Sequence, residues 1–133
     1  MAKTTRPRAK RAPSRAPRLP IQITAAIEAA QGRKATGVIV LDLRKTAAFT
    51  DYFLICTGAN ARQVHAIADA VEEALKAKKI RPTHVEGYQR AEWILLDYFD
   101  FVVHVFSTNA RQFYGLERLW GEASRIEVAD DTP

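Results

Sequence analysis

Cysteine and long apolar runs are scarce in this chain of 133 residues, and each absence excludes a class of protein. The single cysteine, Cys56, cannot form an internal disulfide, which indicates a reducing compartment. The longest apolar runs, residues 38–43 and 101–106, have the length of strands and fall well short of the roughly 20 residues that span a bilayer. Residues 1–20 also lack the apolar segment of a secretory signal. These features predict a cytoplasmic protein.

Acidic residues are absent from the first 20 positions, which hold seven of the 20 lysines and arginines. The other 113 residues hold 13 basic and 15 acidic residues, so the net charge of +5 divides into +7 and −2. The proline-rich, apolar-poor composition predicts a disordered basic tail over residues 1–19, because such a segment cannot bury enough surface to offset its ordering entropy. Contact with RNA through this tail would be non-specific, since it has no aromatic side chain for base stacking.

The same acid-free segment suggests a second location. Organellar transit peptides are basic and poor in acids, but they form an amphipathic helix that four prolines in residues 1–20 would break. A mitochondrial or chloroplast location is therefore the minor alternative.

Hydrophobic periodicity predicts three helices and five strands. The helix over residues 61–79 has the strongest signal, because Val64, Ile67 and Val71 share one apolar stripe and Asn60 with Gln63 forms a capping-box start. The element order predicts an α/β domain over residues 20–121, with a mixed five-stranded sheet and helices mainly on one face. The remaining predicted elements are helices at residues 20–31 and 108–120 and strands at residues 36–43, 51–57, 82–86, 92–97 and 100–106.

The chain after residue 107 is predicted to form one helix followed by a frayed end. Phe113, Leu116 and Trp120 lie on one stripe of this helix, at spacings of three and four residues. Residues 122–133 are predicted to be a flexible acidic end.

The two strands at residues 92–97 and 100–106 suggest a hairpin with Tyr98-Phe99 as its turn. That register sets Asp97 opposite Asp100, Leu95 opposite Val102 and Trp93 opposite His104. One face is then wholly apolar, and the other mixes an aromatic ring, acids and a histidine; the mixed face holds Trp93, Leu95, Asp97, Asp100, Val102 and His104.

Two interpretations of the mixed face remain open from the residues alone. Trp93 lies near the middle of a face at least partly open to solvent, where an amphipathic aromatic is a common interface anchor. Alternatively, Trp93 caps a small satellite core under the first helix, with His104 hydrogen-bonded beside it.

No catalytic constellation emerges from the sequence. His65, His84 and His104 have no metal-ligand spacing, and no pair of carboxylates lies on one strand as two-metal chemistry would require. Cys56 lies in an apolar strand, which indicates a buried thiol. The glycine turn at residues 57–60 precedes a helix, where phosphate can bind, but a junction capped by Asn60 explains it better. We therefore predict neither a cofactor nor a metal site, and no enzyme activity.

Several segments together resemble the Iojap family of ribosomal silencing factors, RsfS. The match runs in order from about residue 23 to residue 121 and excludes the basic tail. The segments are DYFLI at 51–55, TG at 57–58, RQV at 62–64, IAD at 67–69, VEGY at 85–88, EWILLD at 92–97, DFVVHVF at 100–106 and FYGLERLW at 113–120.

The resemblance implies a non-enzyme that binds the large ribosomal subunit through ribosomal protein L14. Such a factor blocks subunit association and represses translation under nutrient limitation; a role in large-subunit assembly is the alternative, and a nucleotide-binding or nucleotidyltransferase-like enzyme a more distant one. It also implies a fold similar to nucleotidyltransferases, and the family includes dimers. The partner-facing residues that it implies are Glu86, Gly87, Tyr88, Trp93, Leu95, Asp97, Tyr98 and His104.

One position departs from the family pattern. Phe99 occupies a turn position where many relatives have glycine, and a bulky residue disfavours the positive φ that glycine permits. The sequence therefore predicts a wider turn here.

Overall fold

The computed structural model describes residues 19–130, so the predictions for residues 1–18 and 131–133 lie outside the described residues. Two long helices, two short helices and six strands follow one another along residues 19–130. In order they are α1 (Ile21–Gly32), β1 (Thr36–Asp42), β2 (Tyr52–Gly58), α2 (Ala61–Lys76), β3 (His84–Glu86), β4 (Trp93–Asp97), β5 (Phe101–Ser107), α3 (Thr108–Tyr114), α4 (Leu116–Leu119) and β6 (Ser124–Glu127). No helix among residues 19–130 is long and apolar enough to cross a membrane.

The strands form one mixed sheet in the order β3-β4-β5-β2-β1-β6. β2 and β5 run parallel and all the other neighbours antiparallel, which confirms the predicted α/β class with a mixed sheet. The predicted strand count is wrong by one. β6 pairs with β1, setting Ile126 opposite Val40, so the predicted flexible end is an ordered edge strand over this stretch.

Each face of the sheet packs against its own apolar cluster. The larger cluster joins α1 and α2 to one face, with Ile23, Ile67 and Val71 fully buried. The smaller cluster lies on the opposite face, where Leu116 and Ala110 pack on strand residues such as Ile55. The two long helices therefore cover one face as predicted, and α3 with α4 covers part of the other.

The start of α2 follows the predicted capping box. The side chain of Asn60 accepts a hydrogen bond of 2.9 Å from the backbone N–H of Gln63. The Gln63 side chain accepts one of 2.6 Å from the N–H of Ala59 and also donates to the carbonyls of Arg33 and Lys34. These contacts satisfy one free donor of the first turn and the N–H of Ala59 before it, and they tie α2 to the end of α1.

The predicted helix over residues 108–120 is wrong at its centre, because Gly115 breaks it. Gly115 has φ +55°, a left-handed conformation that ends α3 and redirects the chain into α4. Leu116 stays buried, whereas Phe113 turns outward and is 79% exposed. Arg111 braces the junction by donating to Glu117 at 3.0 and 3.1 Å, and this pair lowers the pKa of Glu117.

Candidate partner-binding surface

The outer face of β4 carries three half-buried side chains in a row. Trp93, Leu95 and Asp97 alternate with the buried Ile94 and Leu96, which belong to the core under α2. Alternation along a strand sends the first three side chains to the opposite face of the sheet. This row confirms the predicted sorting of β4 residues between the two faces.

The neighbouring strand β3 is a short, exposed edge strand. Its pairing sets Glu86 opposite Leu95 and His84 opposite Asp97, so these residues share the outer face. The predicted site residues Glu86, Leu95 and Asp97 are therefore brought together on one accessible surface, with Trp93 at the start of the same row.

The register predicted for the hairpin is wrong by two residues. Asp97 lies opposite Val102, Leu95 opposite His104 and Trp93 opposite Phe106. The two residues in the turn are Phe99 and Asp100, since the N–H of Tyr98 donates to the carbonyl of Phe101 at 2.9 Å. The predicted Asp97–Asp100 pair therefore does not form. Because the register differs by an even number of residues, each side chain still lies on the face of the sheet that was predicted for it.

His104 corrects the prediction of an open mixed face, because it is only 3% exposed. The indole Nε1–H of Trp93 donates to Nδ1 of His104 at 3.0 Å. Burial lowers the pKa of His104 to about 3, so the ring is neutral. Nε2 has no hydrogen-bond partner among residues 19–130, and the Phe53 ring lies edge-on to the imidazole at 4.5 Å. His104 is thus a support for Trp93 rather than a partner-facing residue.

Trp93 has features of both interpretations, the interface anchor and the cap on a small core. Trp93 is hydrogen-bonded to His104 within a small core, but the elements over that core are α3 and α4, not the first helix. The ring of Tyr114 lies 4.8 Å from the indole and the ring of Phe106 lies 4.9 Å from it. Because Trp93 remains half-buried, part of the indole is still available to a partner.

The aromatic surface continues onto α3, which sequence reasoning did not include in the site. Phe113 contacts Tyr114 edge-on at 5.0 Å, and both rings are exposed. Leu119 on α4 is also exposed. The adjacent aromatic pair Phe113-Tyr114 could have indicated this exposed surface. The prediction of one continuous helix instead placed Phe113 on the buried stripe. With Gly115 as a break, the two rings form an exposed extension of the Trp93 row.

The turn after β3 has a structural role beside its position at the surface. Gly87 has φ +76°, and a Cβ there would clash with the backbone carbonyl of Trp93. Tyr88 leans away from the β4 row toward α2: its hydroxyl donates to Asp69 at 2.9 Å and its ring lies 4.5 Å from that of His65. The hydrogen bond to Asp69 raises the pKa of Tyr88. Tyr88 therefore lies on the other side of the sheet from Trp93.

Tyr98 is the second predicted partner residue that the structure removes from the surface. It is 7% exposed and belongs to the core under α2, stacked on Phe101 at 4.9 Å. Burial raises the pKa of its hydroxyl, which has no hydrogen-bond partner among residues 19–130. Tyr98 packs the hairpin onto the helices and does not reach the outer face.

The glycine turn before α2 is occupied by the chain's own contacts. The hydroxyl of Thr57 accepts a hydrogen bond of 2.9 Å from Arg111, and the N–H of Ala59 is bound by Gln63. Among residues 19–130, no group of three or more histidine, cysteine or acidic side chains is arranged to hold a metal ion. The thiol of Cys56 is fully buried, which raises its pKa to about 12.

Comparison with known proteins assigns the family. A model described as ribosomal silencing factor during starvation, RsfS, matches residues 15–133. The chain belongs to the RsfS family. Membership of this family confirms the resemblance found in the sequence.

Two bacterial proteins are similar to this chain over most of their length. The ribosomal silencing factor RsfS of Halalkalibacterium halodurans is 39% identical over 103 residues, which cover 77% of this chain and 88% of that protein. A crystal structure of a Chromobacterium violaceum protein is 36% identical, with a TM-score of 0.74 over 76% of this chain and 84% of the other. More distantly, mitochondrial assembly of ribosomal large subunit protein 1 from Mus musculus is 29% identical over 65% of this chain and 39% of its own length.

Proposed function

We propose that this chain is a non-catalytic silencing factor of the bacterial cytoplasm. It binds the large ribosomal subunit through ribosomal protein L14, blocks association with the small subunit and represses translation when nutrients are scarce. Membership of the RsfS family supports the silencing role, and the outer face of β4 supports protein–protein contact as its means.

The observation that carries the proposal is the aromatic and acidic surface around Trp93. Trp93 and Tyr114 form a partly exposed apolar centre, and Leu95 extends it along β4. Glu86 and Asp97 flank this centre with carboxylates. A half-buried tryptophan surrounded by polar groups is the usual composition of an interface hot spot.

Charge favours a basic protein as the partner. The 113 residues after position 20 carry a net charge of −2, in contrast to the +7 of the first 20 residues. Acids at the rim of an interface increase the association rate and the specificity for a basic surface more than they increase affinity. Ribosomal protein L14 is the candidate that the family resemblance supplies.

The proposal is tested with purified subunits. We expect the full chain to comigrate with large subunits on a sucrose gradient and to reduce the fraction of joined ribosomes when small subunits are added. Purified L14 should bind the chain directly. Leu95→Glu should abolish the comigration with large subunits and the reduction of joined ribosomes, because it introduces a charge into the apolar centre. Binding to small subunits alone, or joining that is unaffected at saturation, would contradict the proposal.

A role in assembly of the large subunit is the second candidate. It is favoured by the name of the mouse relative, which is an assembly protein of the mitochondrial large subunit. The two functions separate in cells that lack the protein. Accumulation of immature large subunits during growth indicates assembly, whereas normal subunits with failure to reduce translation in starvation indicate silencing.

A further inference from the structure

The tip of the β4–β5 hairpin holds an aromatic residue in a strained conformation. Phe99 has φ +74°, and the N–H of Asp100 donates to the carbonyl of Tyr98 at 2.9 Å. This is a γ-turn with a left-handed central residue, a rare and strained turn for a residue with a side chain. The Phe99 side chain is nevertheless 71% exposed. The turn is therefore as tight as a glycine turn, and the prediction of a wider one is wrong.

Three further hydrogen bonds hold the strained turn in place. The N–H of Phe99 donates to the Asp97 carboxylate at 2.8 Å, and its carbonyl accepts from the Thr50 hydroxyl at 2.8 Å. The N–H of Tyr98 donates to Phe101 at 2.9 Å. Because the backbone is bound on both sides, the exposed ring projects from a fixed base.

A second exposed aromatic ring belongs to the loop that is hydrogen-bonded to this tip. Phe49, directly before Thr50, is 84% exposed. The next residue, Asp51, donates its backbone N–H to the carbonyl of Asp100 at 3.0 Å, so the two loops are joined. The tip thus combines Phe49 and Phe99 with three acids, Asp51, Asp97 and Asp100. Among the described residues 43–51 between β1 and β2, Lys45 is the one cation outside an ion pair, since Arg44 pairs with Asp42.

Folding gives no reason for phenylalanine at position 99. Glycine would adopt the positive φ without strain, and the ring buries little surface in the folded domain. Strain of this kind persists where the surrounding structure enforces it, and it occurs most often at binding sites. An exposed aromatic side chain on an immobilised backbone loses little freedom on binding, which favours affinity.

We propose that Phe99, assisted by Phe49, anchors the domain in an apolar slot rimmed by lysine or arginine on a basic protein of the large subunit. This inference rests on the proposed function and extends its surface two residues beyond Asp97, from the Trp93 row to the hairpin tip. The acids at the tip match the basic rim, and the two rings fill the slot.

The test compares binding and stability in the same variants. Phe99→Gly removes the ring and the strain together, so we expect a melting temperature at or above that of the wild type. Binding to purified large subunits should weaken about ten-fold, which corresponds to about 1.4 kcal/mol. Ile21→Ala is the matched control, because Ile21 is an exposed apolar residue on α1 at the opposite face; its binding should be unchanged.

The outcomes separate this inference from the proposed function. A loss of five-fold or more for Phe99→Gly, with normal binding of Ile21→Ala, supports the anchor, and a smaller loss overturns it. If Phe99→Gly changes only self-association, as measured by analytical ultracentrifugation, the occupant is a second copy and the inference is also overturned. Failure of the wild type itself to bind large subunits would overturn both, whereas normal wild-type binding with an inactive Leu95→Glu and an active Phe99→Gly would overturn the anchor alone.

Discussion

The indole Nε1–H of Trp93 donates a hydrogen bond of 3.0 Å to Nδ1 of His104, which lies one strand away and is almost fully buried. The bond requires an unprotonated Nδ1 and fixes the plane of the indole against the sheet. A half-exposed residue at the centre of the proposed interface is therefore oriented by a side chain that no partner can reach. This relationship links the stability of the smaller core to the geometry of the binding surface.

Substituting Trp93 should weaken folding as well as binding. Trp93→Phe keeps an aromatic ring, although a smaller one, but removes the indole N–H. Nδ1 of His104 then has no donor, and a buried unpaired acceptor costs about 1–3 kcal/mol. Urea unfolding followed by circular dichroism measures this loss. Phe113→Ala is the control, because its exposed side chain should contribute less than about 0.5 kcal/mol. Equal stability of Trp93→Phe and the wild type would show that the hydrogen bond contributes nothing net.

The stability of the domain should fall in mild acid because of His104. Its folded pKa of about 3 lies below the ordinary value of 6.5, so the unfolded chain takes up the proton first as the pH falls. The contribution is intact above pH 6.5 and is lost progressively down to about pH 3, by about 1.4 kcal/mol per pH unit.

His104→Gln isolates this effect. Its amide oxygen can accept from Trp93, but it does not titrate, and all other ionisable groups are the same. Between pH 7.5 and 5.5 the wild type should lose about 1.4 kcal/mol more unfolding free energy than the variant. Identical pH profiles for the two proteins would contradict the assignment of a buried, neutral His104.

Gly87 should tolerate no side chain. A Cβ would clash with the carbonyl of Trp93, and φ +76° strains any other residue. We expect Gly87→Ala to lower the unfolding free energy by about 2 kcal/mol or more and to displace the start of β4. Gly32→Ala is the matched control, since nothing lies within 4 Å of its added Cβ. If calorimetry gives equal melting temperatures for the two variants, close approach at Gly87 does not constrain the turn.

Removing residues 1–18 should leave site-specific binding intact. The deletion removes seven positive charges and keeps Leu19, which packs on the larger core. Affinity for large subunits, measured over a series of KCl concentrations, should depend less steeply on salt because fewer counterions are released. Loss of binding at every salt concentration would instead make the tail the main contact.

The elements with a strong local signal were predictable from sequence. The stripe of Val64, Ile67 and Val71 with the Asn60 cap predicts α2, and both features are observed. The faces of β4 and β5 were also predictable, because alternation depends only on parity. The site was predicted in part: Trp93, Leu95 and Asp97 lie on the outer face, whereas the predicted partner residues Tyr98 and His104 are buried.

Other features depend on contacts that no local pattern reports. β6 has the sequence Ser-Arg-Ile-Glu and becomes a strand because β1 offers it an edge. The turn at Phe99 contradicts the local preference of phenylalanine, and the contacts with Thr50 and Asp97 enforce it. Gly115 was present in the sequence, but its left-handed conformation became evident only in the fold.

The sequence by itself determined the family, the class of fold, the separation of a basic tail from an acidic domain, and the faces of the central strands. The family follows from the resemblance of several sequence segments. The class of fold, the basic tail and the strand faces follow from composition and periodicity along the chain. Only the tertiary structure decided that His104 supports Trp93, that Phe113 and Tyr114 extend the surface, and that Phe99 is held exposed at the hairpin tip. Each of these depends on residues far apart in the chain, because strand register, side-chain burial and backbone strain are set by the packing of the whole domain.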